Sequence, residues 1–172
     1  FILYLSTMMI PITVRLIPSY NLCRNLNMLD TYMGMILPQV AWSIPFGTFL
    51  MRQFYMGIPK QLDEAAKIDG ANHFQIFWKI LLPNTKSSMT TLGIYTFISA
   101  WNNLIWMLLS VRSEGKWTVT LGISSICGAS VIKQPTWNLI MGVIVIGMIP
   151  VLILFFAFQK YFMQSVAATG IK

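Results

Sequence analysis

The chain has 172 residues, of which 56% are hydrophobic and only 10% are charged. A soluble globular domain carries about 25% charged residues, so this composition excludes an ordinary soluble protein and is typical of a membrane protein. The formal net charge of +7 would fit nucleic-acid binding, but the basic residues border apolar runs and form no basic stripe with interleaved aromatics, so nucleic acid is excluded as a partner and membrane lipid is expected instead.

Three long stretches contain no Asp, Glu, Lys or Arg: residues 31–51, 87–111 and 134–159. At about 1.5 Å per residue in a helix, each is long enough to cross a hydrocarbon layer of about 30 Å. The first run, Phe1 to Val14, is apolar but too short to cross alone. Because it starts in mid-pattern without an initiator Met, we interpret it as a cut span and expect further spans before it. The predicted fold is all-α, a polytopic transmembrane bundle forming one domain over residues 1–172.

The Lys and Arg residues predict how the spans are oriented. Residues 52–86 hold five of them, more than residues 15–30 or 112–133, so this segment should be cytoplasmic. The C-terminal end is separated from it by two spans and should be cytoplasmic too, whereas the other two segments should face outward. The expected location is the cell (inner or plasma) membrane, with several spans.

Proline and small residues shape the predicted elements. Residues 31–51 contain Pro38 and Pro45, each of which removes a helix hydrogen bond and favours a kink. In lipid the freed carbonyls need partners, so this span should pack among other helices or border a watery cavity. Residues 117–132 are apolar but too short and too rich in Ser and Gly to cross, and they predict a short outer helix or a re-entrant piece.

The charged segment 59–83 predicts two short helices joined by a tight turn. Pro59 suits the first turn of a helix. Gly70 is expected to end that helix, because glycine adopts the left-handed backbone conformation without a steric penalty. Asn72, followed three residues later by Gln75, resembles a capping box at the start of the second helix.

The second helix of this segment is predicted to be amphipathic and aromatic. Its apolar residues recur at helical spacing, and Pro83 is expected to stop it before the next span. The recurring residues are Phe74, Phe77, Trp78 and Leu81.

The same segment carries a spaced motif: Glu-Ala-Ala at 64–66, three residues, Gly70, nine residues, and Ile-Leu-Leu-Pro at 80–83. This pattern resembles the signature of the membrane subunits of bacterial binding-protein-dependent ABC importers. The resemblance covers essentially the whole chain, which reads as the C-terminal part of a family member. Two departures are Asn103, where an acidic residue is frequent, and Met107, where proline is frequent. Flanking residues resemble the carbohydrate-uptake branch, of the maltose and glycerol-3-phosphate type: Arg52 to Tyr55, Ala100 to Asn103, Trp106, and Gln159 to Phe162.

The resemblance implies that the first helix of segment 59–83 is a coupling helix that lies in a cleft on a separate ATPase subunit. It also implies a second permease subunit, two ATPase subunits and an extracytoplasmic solute-binding protein as partners. From physical chemistry alone the alternative is an amphipathic helix lying on the membrane. The residues expected to couple to the ATPase are Glu64, Ala65, Ala66, Lys67, Asp69, Gly70, Leu82 and Pro83.

The chain has no G-x-x-x-x-G-K-[ST] phosphate-binding motif. ATP and magnesium are therefore expected on the partner ATPase, with no cofactor in this chain, and the chain itself is expected not to be an enzyme.

A second set of residues is a candidate translocation path. Amides inside hydrocarbon need partners, and they could bind sugar hydroxyls while aromatic faces stack on sugar rings. The alternative, which the sequence favours, is that the amides hold helices together while the tryptophans mark the membrane interface. The candidates are Asn102, Asn103, Trp101, Gln39, Trp42 and Ser43.

Metal binding, catalysis and ion coupling find little support in the sequence. His73 has no companion ligands, so no metal site is predicted, and no serine has a His/Asp partner for catalysis. All five acidic residues lie outside the predicted spans, which counts against the alternative function, an ion-coupled secondary transporter or channel. Cys23 and Cys127 fit neither a metal spacing nor a disulfide framework. The function that the resemblance implies is a permease subunit of an ATP-driven importer for a carbohydrate or polyol phosphate.

Overall fold

The structure is a computed structural model that describes the backbone of residues 1–132 and 137–169 and the side chains of residues 1–128 and 137–159. The described part is helical and contains no strand, so the all-α prediction is confirmed. Along the chain the elements are α1 (Ile2–Met8), α2 (Ile12–Asn25), α3 (Tyr32–Met56), α4 (Lys60–Ile68), α5 (His73–Ile76), a π-helix (Phe77–Leu81), α6 (Leu82–Asn84), α7 (Lys86–Trp101), α8 (Leu104–Ser110), a 3₁₀ helix (Glu114–Lys116), α9 (Val119–Ile132) and α10 (Trp137–Thr169).

Two described helices, α3 and α10, are long and apolar enough to cross a membrane. They correspond to the predicted spans at 31–51 and 134–159, although residues 134–136 lie outside the described part of the chain. Two further spans would be bent: α1 and α2 meet at 97°, and α7 and α8 meet at 54°. The predicted span at 87–111 is therefore a broken one, and α9 is the short apolar helix expected at 117–132.

The N-terminal region differs from the prediction. Residues 1–14 do not form one continuous helix, because Pro11 separates α1 from α2. Proline has no N–H to continue α1, and its fixed φ, here −57°, suits the residue that opens the next helix. Helix α2 then runs to Asn25, through most of the predicted outer segment 15–30.

Trp106 lies at the centre of the described core. Its side chain is fully buried, and its indole N–H donates a hydrogen bond of 3.0 Å to the carbonyl of Gly34. That carbonyl is the one that Pro38, four residues later, leaves without a backbone donor. An unsatisfied carbonyl is costly in hydrocarbon, so the indole satisfies the group that proline exposes. The core residues around it are Leu16, Cys23, Met35, Met107, Val111 and Leu121.

Gly34 occupies a position that only glycine fits. A Cβ there would lie 2.1 Å from the carbonyl oxygen of Met28, which belongs to the loop before α3. The N–H of Gly34 also donates to the hydroxyl of Thr31, the N-cap of α3, at 3.1 Å. The first turn of α3 is therefore pressed against the preceding loop and held by Trp106 from another span.

Asp30 joins this loop to the loop after α8. Its carboxylate accepts hydrogen bonds from the Ser113 hydroxyl and from the backbone N–H groups of Ser113, at 3.0 Å, and Arg112, at 3.1 Å. Lys116 lies 3.6 Å from the carboxylate and donates to the Asp30 carbonyl. The Ser113 hydroxyl, the Ser113 and Arg112 N–H groups and Lys116 stabilise the charged form and hold the pKa of Asp30 well below its usual range. The two segments predicted to face outward therefore meet at Asp30.

Replacing Trp106 by Phe tests the bond to Gly34. We expect a loss of about 1–3 kcal/mol in unfolding free energy from the carbonyl left without a donor, with a further loss from the smaller ring. Thermal or denaturant unfolding in detergent micelles measures it. The control is Trp137→Phe, whose side chain is 64% exposed and should change stability by no more than about 0.5 kcal/mol. Equal stabilities of the two variants would contradict the role of Trp106.

Replacing Asp30 by Asn tests the loop contact and its pH dependence. Because the pKa of Asp30 is lowered on folding, its contribution to stability is fully present above the ordinary carboxyl value of 3.8 and is lost as the pH falls below it. We therefore expect Asp30→Asn to unfold at a lower temperature at pH 7, and the difference from the wild type to shrink below about pH 3.8. A difference that stays constant down to pH 3 would show that the charge of Asp30 is not what holds the loops.

Candidate functional site

A cleft of about 700 Å³ lies between α3 and the break that separates α7 from α8. Five of the six residues predicted for a translocation path line this cleft. Across it the rings of Phe46 and Tyr95 lie 4.4 Å apart and join the two walls. The five residues are Gln39, Trp42 and Ser43 on α3, and Asn102 and Asn103 at the break.

The break between α7 and α8 is held by its own hydrogen bonds. The Asn102 N–H donates to the Ile98 carbonyl at 3.0 Å, and the Leu104 N–H donates to the Asn102 carbonyl at 2.9 Å. The Asn103 side chain caps α8 by accepting from the Trp106 N–H at 3.3 Å. Irregular backbone of this kind is tolerated at membrane depth where it lines a cavity.

The polar side chains of the cleft differ in whether they already make hydrogen bonds within the chain. Gln39 donates back to the Met35 carbonyl at 3.1 Å, and Ser43 donates to the Val40 carbonyl at 2.8 Å. The exposed Asn102 side chain makes no hydrogen bond to any described residue. Asn102 is therefore the amide best placed to bind a polar group that enters the cleft.

Trp101 is the exception among the predicted path residues. Its indole N–H donates to the Gly147 carbonyl of α10 at 3.3 Å, and its ring stacks on Phe97 at 5.6 Å. Gly147 also lies close to α9, since a Cβ there would approach Ile123 to 2.6 Å. Trp101 is therefore a packing residue between α7 and α10.

The turn at Gly70 matches its prediction. The Gly70 N–H donates to the Lys67 carbonyl at 3.1 Å and the Ala71 N–H to the Ala66 carbonyl at 2.9 Å, which together end α4 in a Schellman motif. Gly70 has φ of +79°, in the left-handed region. Nothing lies within 4 Å of a Cβ built there, so the backbone conformation, not space, requires glycine.

One face of α4 is open. Ala66 is buried, whereas Glu64, Ala65 and Lys67 are exposed and Ile68 is 86% exposed. The exposed residues combine an apolar side chain, a small one and charges of both signs. Ile68 is the large apolar side chain on this face, and it is left open to the surroundings in this chain alone.

A second cleft, of about 510 Å³, lies where α4 meets the end of α3, and it includes Arg52, Tyr55, Lys60 and Asp63. One carboxylate oxygen of Asp63 is buried there without a hydrogen-bond partner among the described residues. No pattern in the sequence distinguishes Asp63 from the other acids of this segment.

The helix after the turn starts as predicted and ends differently. The Asn72 side chain accepts from the Gln75 N–H at 2.8 Å, and the Gln75 side chain accepts from the Asn72 N–H at 2.9 Å, which forms the capping box. Pro83 does not stop the helix, because the preceding turn widens into the π-helix and the Leu82 N–H donates five residues back. This widening relieves the clash between a proline ring and the preceding carbonyls. The chain turns instead at Thr85, whose hydroxyl donates to the Leu82 carbonyl at 3.1 Å.

The aromatic residues of this helix divide between two environments. Phe77 contacts Tyr55 of α3, with 6.2 Å between the ring centroids. Phe74 and Trp78, 6.0 Å apart, are both exposed. Leu82 is partly buried and Pro83 exposed at the junction with α7. The helix is thus attached to the end of α3 on one side and open on the other.

The sequence matches the family described as binding-protein-dependent transport system inner membrane component over residues 1–168. The chain belongs to this family. It is a multi-pass inner membrane protein, as expected from its apolar helices.

Two curated relatives are similar over nearly the whole chain. The sn-glycerol-3-phosphate transport system permease protein UgpE of Yersinia enterocolitica is 38% identical over 166 residues, which are 96% of this chain and 58% of the relative. The arabinooligosaccharides transport system permease protein AraQ of Bacillus subtilis is 33% identical over 172 residues, all of this chain and 59% of the relative. The chain therefore spans a little under three fifths of the length of these relatives. Both names confirm the expected likeness to carbohydrate-uptake permeases.

A solved structure supports the fold. It is a crystal structure of a bacterial ABC transporter involved in the import of the acidic polysaccharide alginate. The TM-score is 0.74 at 28% identity, and the match covers 93% of this chain and 60% of the other. The helical bundle described above is therefore the fold of an ABC transporter membrane subunit.

Replacing Gly70 tests the turn that presents α4. We expect Gly70→Val to destabilise the segment by about 1–2 kcal/mol, because a β-branched residue is strained at positive φ. Hydrogen exchange of the backbone amides of residues 60–76 should rise in this variant. Gly70→Asn is the matched control, since asparagine tolerates the left-handed conformation, and it should exchange nearly as slowly as the wild type. Equal exchange in the two variants would contradict the argument.

Proposed function

We propose that this chain forms part of the permease of an ATP-driven importer for a carbohydrate or polyol phosphate. The family and the two relatives support the class of protein. In this proposal residues 1–172 are one permease domain, with the coupling segment at 59–83 within it. A second permease subunit, two ATPase subunits and a solute-binding protein complete the transporter.

One observation carries the proposal. The two walls of the cleft, α3 and the α7–α8 break, are the elements that segment 59–83 connects. A force applied to α4 therefore has a short covalent route to both walls. On one side it reaches the end of α3, and on the other it passes through the π-helix to α7.

The open face of α4 is the proposed contact with the ATPase. Ala65 leaves room for close backbone approach, and Ile68 supplies apolar area that is 86% exposed in this chain alone. Glu64 and Lys67 are charged residues at the rim of this contact, and they set the orientation of the ATPase on α4 more than its affinity. Leu82 and Pro83 act further along, where the segment passes movement to α7. ATP and magnesium bind to the ATPase chains, which supply the energy.

The cleft is the proposed path for the solute. The Asn102 amide binds a hydroxyl, Gln39 and Ser43 offer further polar atoms, and Trp42 supplies an aromatic surface. Most of the other residues that line the cleft are apolar, as is usual for a small-molecule site with a few placed polar groups. An ion-coupled transporter gains no support, because none of the five acids lies in α3, α7, α8 or α10.

The proposal is tested by cross-linking in the assembled transporter. In a background without Cys23 and Cys127, a photoactivatable thiol reagent is attached to Ile68→Cys. We expect adducts with the ATPase subunit, because Ile68 is on the open face of α4. Leu152→Cys on α10, 45% exposed, is the control and should label lipid or the partner permease instead.

Adducts of Ile68→Cys with lipid alone would contradict the coupling role. Uptake into proteoliposomes that needs neither ATP nor the ATPase subunits would contradict the importer itself.

A further inference from the structure

Arg15 carries a positive charge that no hydrogen bond or ion pair within the described residues satisfies. It lies in the first turn of α2 and is partly buried. Its Nε atom is buried without a hydrogen-bond partner. Its guanidinium carbon lies 5.8 Å from the centre of the Trp42 ring, in a cation–π contact.

No described acid neutralises this charge. The ion pair found among the described residues joins Lys116 to Asp30, and the other acids lie in α4, its cap or the 3₁₀ helix. A cation–π contact contributes about 0.5–2 kcal/mol, less than the several kcal/mol that removing an ion from water costs. Position in the first turn adds a further penalty, since the helix dipole is positive there. Arg15 therefore requires an anionic partner.

The depth of Arg15 excludes the membrane surface as the source of that partner. Trp42 is ten residues beyond the start of α3 and fourteen before its end. At about 1.5 Å per residue these are about 15 and 21 Å, so the ring lies near the middle of a hydrocarbon layer of about 30 Å. Lipid phosphates lie at the edges of that layer. An ionisable side chain at this depth faces the interior of the bundle or a watery cavity.

The cleft is the cavity nearest to Arg15, although Arg15 is not one of the residues that line it. The lining includes Trp42, which the guanidinium of Arg15 contacts, and Ile12, one helical turn before Arg15 on α2. The open Asn102 amide belongs to the same cleft. A guanidinium and an amide beside one cavity match a solute that carries both an acidic group and hydroxyls, because guanidinium forms charge-assisted hydrogen bonds to carboxylate and phosphate.

We propose that Arg15 binds a phosphate or carboxylate group of the transported solute, so that the substrate of this permease is anionic. The inference rests on the proposed function, since it assigns a substrate class to the proposed path. Arg15 acts by direct contact with the anionic group, while Trp42 holds the guanidinium in place.

The test begins with the charge of the solute. The complete transporter is reconstituted with its solute-binding protein, and the solute released from the native binding protein is identified by mass spectrometry. An uncharged solute with intact ATP-dependent uptake overturns the inference and leaves the proposed function standing. Absence of ATP-dependent uptake of the released solute overturns the proposed function instead.

With an anionic solute, the residue is tested by uptake kinetics. We expect Arg15→Gln to raise the KM of uptake at least ten-fold. Arg15→Lys keeps the charge without the planar guanidinium group, so its KM should rise less than that of Arg15→Gln. Arg24→Gln is the matched control, because Arg24 is exposed on the same helix, and its KM should stay within two-fold.

Three results of these measurements would overturn the role of Arg15. One is a KM for Arg15→Gln equal to that for Arg24→Gln. Another is equal loss of basal ATPase and uptake in Arg15→Gln and Arg15→Lys, which would indicate packing alone. The last is an effect of Arg15→Gln that disappears in phosphatidylcholine proteoliposomes and returns with phosphatidylglycerol, which would make a lipid phosphate the partner.

Discussion

The hydrogen bond from Trp106 to Gly34 is the constraint on which the rest of the bundle depends. Pro38 removes the backbone donor for the Gly34 carbonyl, and hydrocarbon offers no replacement. The donor has to come from another span, and this fixes α8 against the first turn of α3. The Trp42 ring lies edge-on to Trp106 at 5.2 Å, so the wall of the cleft is held by the same contact. A proline that would weaken an isolated helix thus sets how two spans meet.

The cleft and segment 59–83 are linked by the order of elements along the chain. Helix α3 enters the segment, and α7 leaves it, so a displacement of α4 acts on both walls of the cleft. The π-helix and the turn at Thr85 lie on the route to α7, and the bend of 54° at Asn102 and Asn103 lies at its far end. Closely packed side chains, such as Phe77 against Tyr55, transmit a displacement from one helix to the next. The irregular turns between the helices are where the chain can change direction.

Patterns that act locally were predictable from the sequence. Gly70 and the Asn72–Gln75 pair depend on residues a few positions apart, so their geometry follows from spacing alone. The continuation of the helix through Pro83 does not follow from spacing. The π-helix that accommodates the proline uses backbone freedom that spacing does not show. Five of the six predicted path residues line the cleft and Trp101 does not, since the choice between a cavity and a neighbouring helix depends on the position of α10.

The most direct measurement of the central claim is the reactivity of a cysteine at Asn102 with a membrane-impermeant thiol reagent, in the assembled transporter without Cys23 and Cys127. The reagent is added to the cytoplasmic or the outer side, with and without ATP and magnesium. If the energy of ATP enters through α4 and moves the walls of the cleft, the cysteine should react from one side without nucleotide and from the other with ATP bound. Reactivity from the same side in both states would contradict the account.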